Sequence, residues 1–232
     1  MHTLSVPVRH VVPATPRTRI ITLDLRSVEF AFTAGQALMI GLHGSPLRKP
    51  YSIASAPWEL ARTGMLQVLA QVEDNSFLDP HLELAVQGTQ LDLEGPFGEF
   101  RLPHEAAPPL LFVAGGTGIA PLRSMLIEYL GRPTPAPAVL IYSARSIDEF
   151  AFRPEFASLE AAGRLTTYLT VTRDEREWRG RRGRISEDLL REVLPSPDAT
   201  CLVCGPPQFN ADAKSLLVRL GVDESRVLTE KY

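Results

Sequence analysis

Apolar and polar positions follow two different periods in the two halves of the chain. Over the first hundred residues, segments 4–12, 18–26, 36–42, 51–55, 65–72 and 90–94 are short and rich in Val, Ile, Leu and Thr, with Gly or Pro between them. That spacing, without a sustained helical period, predicts a small antiparallel barrel of six strands. One short helix is expected over 76–84. Residues 103–109, Pro-His-Glu-Ala-Ala-Pro-Pro, break the pattern. Beyond them Leu110–Ala114 is a continuous apolar run, as in a parallel strand covered on both faces. Ile119, Leu122, Leu126, Ile127 and Leu130 then fall on one face of a helix over 119–130. The alternation repeats, with strands expected at 139–143, 165–171, 200–204 and 226–228 and helices at 148–162, 185–193 and 208–220. Such alternation predicts a doubly wound parallel sheet. The expected fold class is therefore two-domain, β plus α/β, with a barrel over 1–104 and an α/β domain over 105–232.

Composition narrows the function classes. The 232 residues suffice for two domains of about 100–130 residues. Hydrophobic residues make up 44% and charged residues 22%, which excludes wholesale disorder. The net charge of −3 gives no pull toward nucleic acid or anionic membrane. No apolar run is long enough to span a bilayer, and Met1-His2-Thr3-Leu4 does not open a secretory signal, so the expected location is cytoplasmic. Cys201 and Cys204 are the two cysteines. The five histidines lie far upstream without paired spacing, so a zinc site lacks ligands, and an iron–sulfur cluster would need four cysteines. Leu202 and Val203 make the Cys-x-x-Cys read as the end of a buried strand rather than a redox dithiol at a helix start.

Three segments carry chemistry. Gly115-Gly116-Thr117-Gly118-Ile119-Ala120-Pro121 joins the 110–114 strand to the next helix. Glycines let backbone approach a ligand, and a helix start presents unpaired N–H groups to a diphosphate. Pro121 suits a first helical turn. The spacing is not G-x-G-x-x-G, and alone the segment is equally a tight strand–helix turn. Cys204-Gly205-Pro206-Pro207-Gln208-Phe209 follows another parallel strand, at the edge where open α/β sheets bind ligands. It could wall a planar ligand or simply cap the strand. Arg48-Lys49-Pro50-Tyr51-Ser52 places cations, an aromatic ring and a hydroxyl together on an extended strand. That set offers a phosphate partner, a stacking surface and a hydrogen-bond donor, which suits a flavin nucleotide.

In combination and order, and with Gly95-Pro96-Phe97-Gly98 between them, these segments resemble the ferredoxin–NADP reductase family of flavoproteins over essentially the whole chain. The resemblance implies a Greek-key flavin barrel followed by a nucleotide-binding domain, with FAD as cofactor. The family's Arg-x-Tyr-Ser places its Arg on the flavin phosphate, its Tyr on the isoalloxazine and its Ser near flavin N5. Tyr51 and Ser52 match, whereas Lys49 stands at the Arg position with Arg48 beside it. Lysine cannot make arginine's bidentate contact, so Arg48 could take over that task. Asn75 and Ser76 are candidates for a second flavin-phosphate segment. Gly115, Gly116, Thr117, Gly118 and Pro121 correspond to the diphosphate site of the nicotinamide nucleotide. Cys204, with Gly205, Pro206 and Pro207, would lie near the nicotinamide. The ending Glu230-Lys231-Tyr232 resembles that of plant-type members, whose terminal aromatic stacks on the flavin. Ser52, Cys204, Glu230 and Tyr232 are thus the expected catalytic set.

Coenzyme choice turns on a 2′-phosphate, which needs cations. Thr172-Arg173 follows a strand and Gly183-Arg184 opens a helix, both resembling the family's pattern for that phosphate. Arg145 could stack on adenine or reach the same group. NADP is therefore expected, with NAD the alternative. The expected function is a reductase passing electrons from NAD(P)H through FAD to a one-electron acceptor such as ferredoxin or flavodoxin. The partner would be a small iron–sulfur or flavin protein, and the chain a monomer. The alternatives are an electron-transfer subunit of an oxygenase or hydrogenase, or a flavin reductase.

Overall fold

The computed structural model describes residues 3–72, 80–103, 109–173 and 177–230. The first half holds β1 (Leu4–Thr15), β2 (Thr18–Asp24), β3 (Ala37–Leu42), β4 (Lys49–Ser52), α1 (Pro57–Thr63), β5 (Met65–Gln71) and β6 (Gln90–Phe97). The strands pair antiparallel in the order β4-β3-β6-β1-β2-β5, a Greek-key order in which β6 returns between β1 and β3. Ile53 bridges Val68, and the Ala54 N–H donates to the Gln67 carbonyl at 2.8 Å. These contacts join the two end strands and close the barrel, which removes its open edges. Val6, Ile21, Leu38, Ile40, Leu66 and Leu91, all fully buried, fill its interior.

Strand–helix alternation follows as expected: β7 (Leu110–Gly115), α2 (Ile119–Leu130), β8 (Ala138–Ala144), α3 (Arg153–Ala161), β9 (Leu165–Val171), β10 (Arg181–Arg182), α4 (Glu187–Val193), β11 (Thr200–Cys204), α5 (Pro207–Arg219) and β12 (Val227–Thr229). The order β10-β9-β8-β7-β11-β12 is parallel throughout. The chain steps outward from β7 to β10 and then crosses to the other side of β7. The sheet direction therefore switches between β7 and β11, which opens a crevice at their C-terminal ends.

Four differences from the sequence expectation have local causes. The α1 helix lies where no helix is expected; it has seven residues, too few for a period to show. Pro57 starts it, the Glu59 carboxylate accepts from the Ala56 N–H at 2.8 Å, and Gly64 at φ +69° ends it. The expected helix over 148–162 splits into a 3₁₀ turn at Ile147–Glu149 and α3, because Pro154 is tolerated only in a first turn. Within 76–84 the described part is a 3₁₀ turn at Leu82–Leu84, and residues 73–79 lie outside the described residues. The two-residue β10 lies inside an arginine-rich segment that carries no strand pattern.

The α2 helix, expected to bury one face, is buried all round except at Glu128. One side packs on β7 and β11, and the other meets the barrel. Ser124 Oγ donates to the Ser55 carbonyl at 2.6 Å, and Trp58 Nε1 donates to the Ile127 carbonyl at 3.1 Å. The boundary expected between residues 104 and 105 lies outside the described residues. Among the described residues no helix is long and apolar enough to cross a membrane.

Candidate nucleotide and electron-transfer site

Both glycine-bearing turns lie at the switch point. Gly116–Gly118 form a 3₁₀ turn that runs from β7 into α2. A Cβ on Gly118 would stand 2.2 Å from the Cys204 carbonyl oxygen, so only glycine lets this turn touch the end of β11. Gly116 holds φ +56° with open space where a Cβ would project. Its peptide can face a ligand without a side chain intervening. Pro121 is buried in the first turn of α2, and Pro207 is the first residue of α5. The Phe209 ring packs against Gly115 and Gly205.

A cavity of about 580 Å³ opens over these turns. Gly115, Gly116, Thr117 and Gly118 line it from β7, Gly205 and Pro206 from β11, and Arg145, Thr172 and Arg184 from the strands beyond. Backbone bonds tie these outer segments together. The Thr172 and Arg173 N–H groups donate to the carbonyls of Ala144 and Arg145 at 2.9 and 3.1 Å, and the Gly183 N–H donates to the Val171 carbonyl at 2.8 Å. Strands lie about 5 Å apart, so Thr172, two strands from the glycine turn, stands roughly 10 Å from it. Arg173 is exposed and does not line the cavity. Arg181 and Arg182 serve structure: Arg181 pairs with Glu192 and covers the Tyr168 ring, while Arg182 donates to the Trp178 carbonyl at 2.6 Å.

Sequence reading missed the barrel's share of this cavity. Thr15, Arg17 and Thr18 line it from the β1–β2 turn, and Leu69 and Gln71 from β5. The turn is pinned, with Val72 N–H donating to the Arg17 carbonyl at 2.7 Å and Arg17 N–H to Thr15 Oγ1 at 3.2 Å. A hairpin turn is legible at Thr15-Pro16-Arg17-Thr18, but no sequence signal shows that it faces the other half. Among the described residues, the side chains of Arg17, Arg145 and Arg184 form no hydrogen bond or ion pair. Two carboxylates, Glu149 and Asp212, share the cavity wall, and Asp212 is bonded by Gln208 at 2.7 Å.

Beside the glycine turn, Cys204 Sγ donates to Glu230 Oε2 at 2.9 Å. Asn210, which carries no sequence signal either, donates from Nδ2 to the Glu230 carbonyl at 3.2 Å. Cys201 lies on the opposite face of β11 among different core residues, so the two thiols do not form a dithiol pair. Burial pushes the Cys201 thiol up to about 12, which keeps it protonated and inert.

In β4, Lys49 and Tyr51 share the face that continues Leu38 and Ile40, while Ser52 lies on the other. All three are half-buried. Arg48 is held by two carboxylates of β6, Asp92 and Glu94, each at 3.1 Å. Burial works against the Asp92 charge, but bonds from Ser5, His43 and the Gly44 N–H outweigh it and hold the carboxyl at about 2. Asn75, Ser76 and Tyr232 lie outside the described residues.

The open cradle at Gly116, the glycine contact at Gly118 and the three cations fit a dinucleotide's phosphates. The half-buried Tyr51 and Ser52, three or four residues before the Ser55–Ser124 domain contact, fit a planar group held between the halves.

Such a fold and crevice define the class of flavin-dependent oxidoreductases that use nicotinamide nucleotides. The family model for the oxidoreductase NAD-binding domain matches residues 112–215. The chain is 30% identical to ferredoxin–NADP reductase B of Sorangium cellulosum, covering 96% of this chain and 94% of that protein. It is 28% identical to NADH-cytochrome b5 reductase 1 of Eremothecium gossypii, covering 73% of this chain and 61% of that one. Two solved structures share the fold. A cytochrome P450 reductase from Amycolatopsis superposes with a TM-score of 0.86 at 24% identity, over 99% of this chain and 69% of that one. A Neisseria gonorrhoeae ferredoxin NADP+ reductase with bound FAD and NADP superposes at 0.79 and 21% identity, over 95% and 92%. The chain belongs to the ferredoxin–NADP reductase family of flavoproteins.

Proposed function

We propose that this chain takes hydride from NADPH onto FAD and feeds electrons singly to a small iron–sulfur or flavin protein, such as a ferredoxin or flavodoxin. The observation that carries the coenzyme choice is the cation set in the cavity. Arg145, Thr172 and Arg184 line the cavity beyond the glycine turn, where they can hold a 2′-phosphate while the turn holds the diphosphate. Arg17, from the barrel side, adds a cation for the diphosphate that both nucleotides share. The end-to-end similarity to a ferredoxin–NADP reductase supports the acceptor class.

Bound flavin supplies the hydride acceptor and the capacity to release electrons one at a time. This chain's residues supply geometry. Tyr51 packs on the ring system, Ser52 donates near its reactive nitrogen, and Lys49 meets its phosphate. Ser76 is the proposed second phosphate contact, and Tyr232 the proposed aromatic partner of the flavin ring. Cys204 and the half-buried Glu230 hold a directional polar pair where nicotinamide would dock. Ser52, Cys204, Glu230 and Tyr232 are the proposed catalytic set.

A second reading, an NADH-linked electron-transfer protein, draws on Glu149 and Asp212 in the cavity and on the similarity to an NADH-cytochrome b5 reductase. An acid can bind a ribose 2′-hydroxyl and repel a 2′-phosphate. Rates with NADPH and NADH, measured side by side with ferredoxin and cytochrome acceptors, decide between the two. A clear NADPH preference is expected; an NADH preference overturns the cation argument.

A further inference from the structure

Arg123 is 5% exposed, yet all five of its guanidinium N–H groups are used. Nε and Nη2 donate as a fork to Glu155 at 2.6 and 2.7 Å. Nη1 donates to the Ala54 carbonyl at 2.7 Å and to Glu59 Oε2 at 3.0 Å, and Nη2 also reaches Glu59 Oε1 at 3.2 Å. The Phe152 ring lies 5.1 Å from the guanidinium carbon. Phe152 itself holds φ +60°, a left-handed conformation that a bulky residue keeps only where its surroundings over-determine it. Three elements thus converge on one side chain: α2, α3 and the barrel segment 54–59.

Both ends of this link bear chemistry. Arg123 follows Gly118 by five residues on α2, and Ala54 follows Ser52 by two. Adhesion alone would be served as well by apolar packing, whereas five directional bonds to a rigid fork fix angle and register. We infer that Arg123 is a positioning residue that holds the Gly115–Gly118 turn and the Tyr51–Ser55 strand end in one fixed relation. It thereby sets the approach of nicotinamide to flavin. This rests on reading the turn as the nucleotide site and the strand as the flavin site. Reactive geometry is steep in distance, so loosening the joint should slow hydride transfer while leaving nucleotide contacts in place.

The test uses FAD-loaded protein with Arg123→Met, Arg123→Lys and Glu59→Gln. Three quantities are read: the dissociation constant for NADP+, the limiting rate of flavin reduction by NADPH, and amide exchange across 53–56 and 116–122. Arg123→Met should lower the limiting rate by about tenfold or more, with NADP+ affinity within about threefold of wild type. Arg123→Lys keeps the charge but only three donors, and should recover part of the rate. Glu59→Gln, which weakens the barrel side alone, should slow reduction several-fold. Exchange should rise together in both segments and stay unchanged in the barrel interior. If Arg123→Met does not fold, Glu59→Gln carries the test. A wild-type rate in Glu59→Gln, or equal losses in rate and affinity, overturns the inference. If the wild-type protein takes up no FAD or is reduced by neither nucleotide, the functional reading has failed instead. The exchange measurement then decides alone whether Arg123 couples the two segments.

Discussion

The thiol of Cys204 donates a hydrogen bond to Glu230 Oε2 at 2.9 Å, across a gap of 26 residues that joins β11 to the segment after β12. Asn210 holds the Glu230 backbone in place. A carboxyl group so fixed, bonded to the strand end beside the glycine turn, can orient a carboxamide-bearing ring. Hydrogen bonds to charged groups contribute about 1.5–3 kcal/mol. Glu230→Ala should therefore lower the limiting rate of flavin reduction about tenfold or more and change NADP+ affinity much less. Cys204→Ser keeps a donor and should cost less than Cys204→Ala. Equal effects on rate and affinity would show that the pair only binds nucleotide.

Arg184 and Arg17 should separate by which phosphate they meet. Arg184→Ala should weaken NADPH about tenfold and leave NADH nearly unchanged, as expected for a 2′-phosphate contact. Arg173→Ala, outside the cavity lining, should have the smaller effect of the two. Arg17→Ala, on the barrel side of the same cavity, should weaken both nucleotides alike, as expected for a contact to the diphosphate they share. Calorimetric titration with NADP+, NAD+ and 2′-AMP reads all three variants.

Lys49 and Arg48 should differ in kind. Arg48 is held by Asp92 and Glu94, so Arg48→Ala should lower the melting temperature and leave FAD retention nearly intact. Lys49 shares a strand face with Tyr51, so Lys49→Ala should weaken FAD retention. Lys49→Arg should tighten it by adding a bidentate contact. Dialysis followed by flavin fluorescence checks each; the opposite pattern would move the flavin phosphate to Arg48.

Asp92 gives a pH signature. Its carboxyl is depressed to about 2 in the folded protein, so its contribution is present above its ordinary value near 3.8 and is lost as pH falls toward 2. Asp92→Asn should destabilise the protein by about 1–2 kcal/mol at pH 7. That difference should shrink between pH 4 and 2. Denaturant melts of both proteins at pH 7, 4 and 2.5 measure it.

Much of this architecture is legible in the sequence because period and punctuation agree. Leu165–Val171 and Thr200–Cys204 have the expected ends, and the apolar run at 110 opens β7 and leads to the glycine turn. Short elements escape: α1 has too few residues for a period, and β10 is a two-residue edge. The site divides similarly. Candidate ligand-facing residues carried by one loop, such as Gly116 and Gly118, stand out as glycines between a strand and a helix. Arg17 and Asn210 owe their places to long-range docking of one element on another, which no local pattern encodes. Arg123 reads as a polar interruption in α2 until its partners, all from other elements, are in view.

Electron transfer from NADPH to bound FAD is the proposed activity of this chain, and anaerobic titration of the purified protein, followed through its visible spectrum, is its decisive test. The protein should be yellow, with FAD as its extracted flavin, and should be bleached by about one equivalent of NADPH and more slowly by NADH. A protein that holds only FMN, that cannot be loaded with flavin, or whose flavin stays oxidised under excess NADPH contradicts it.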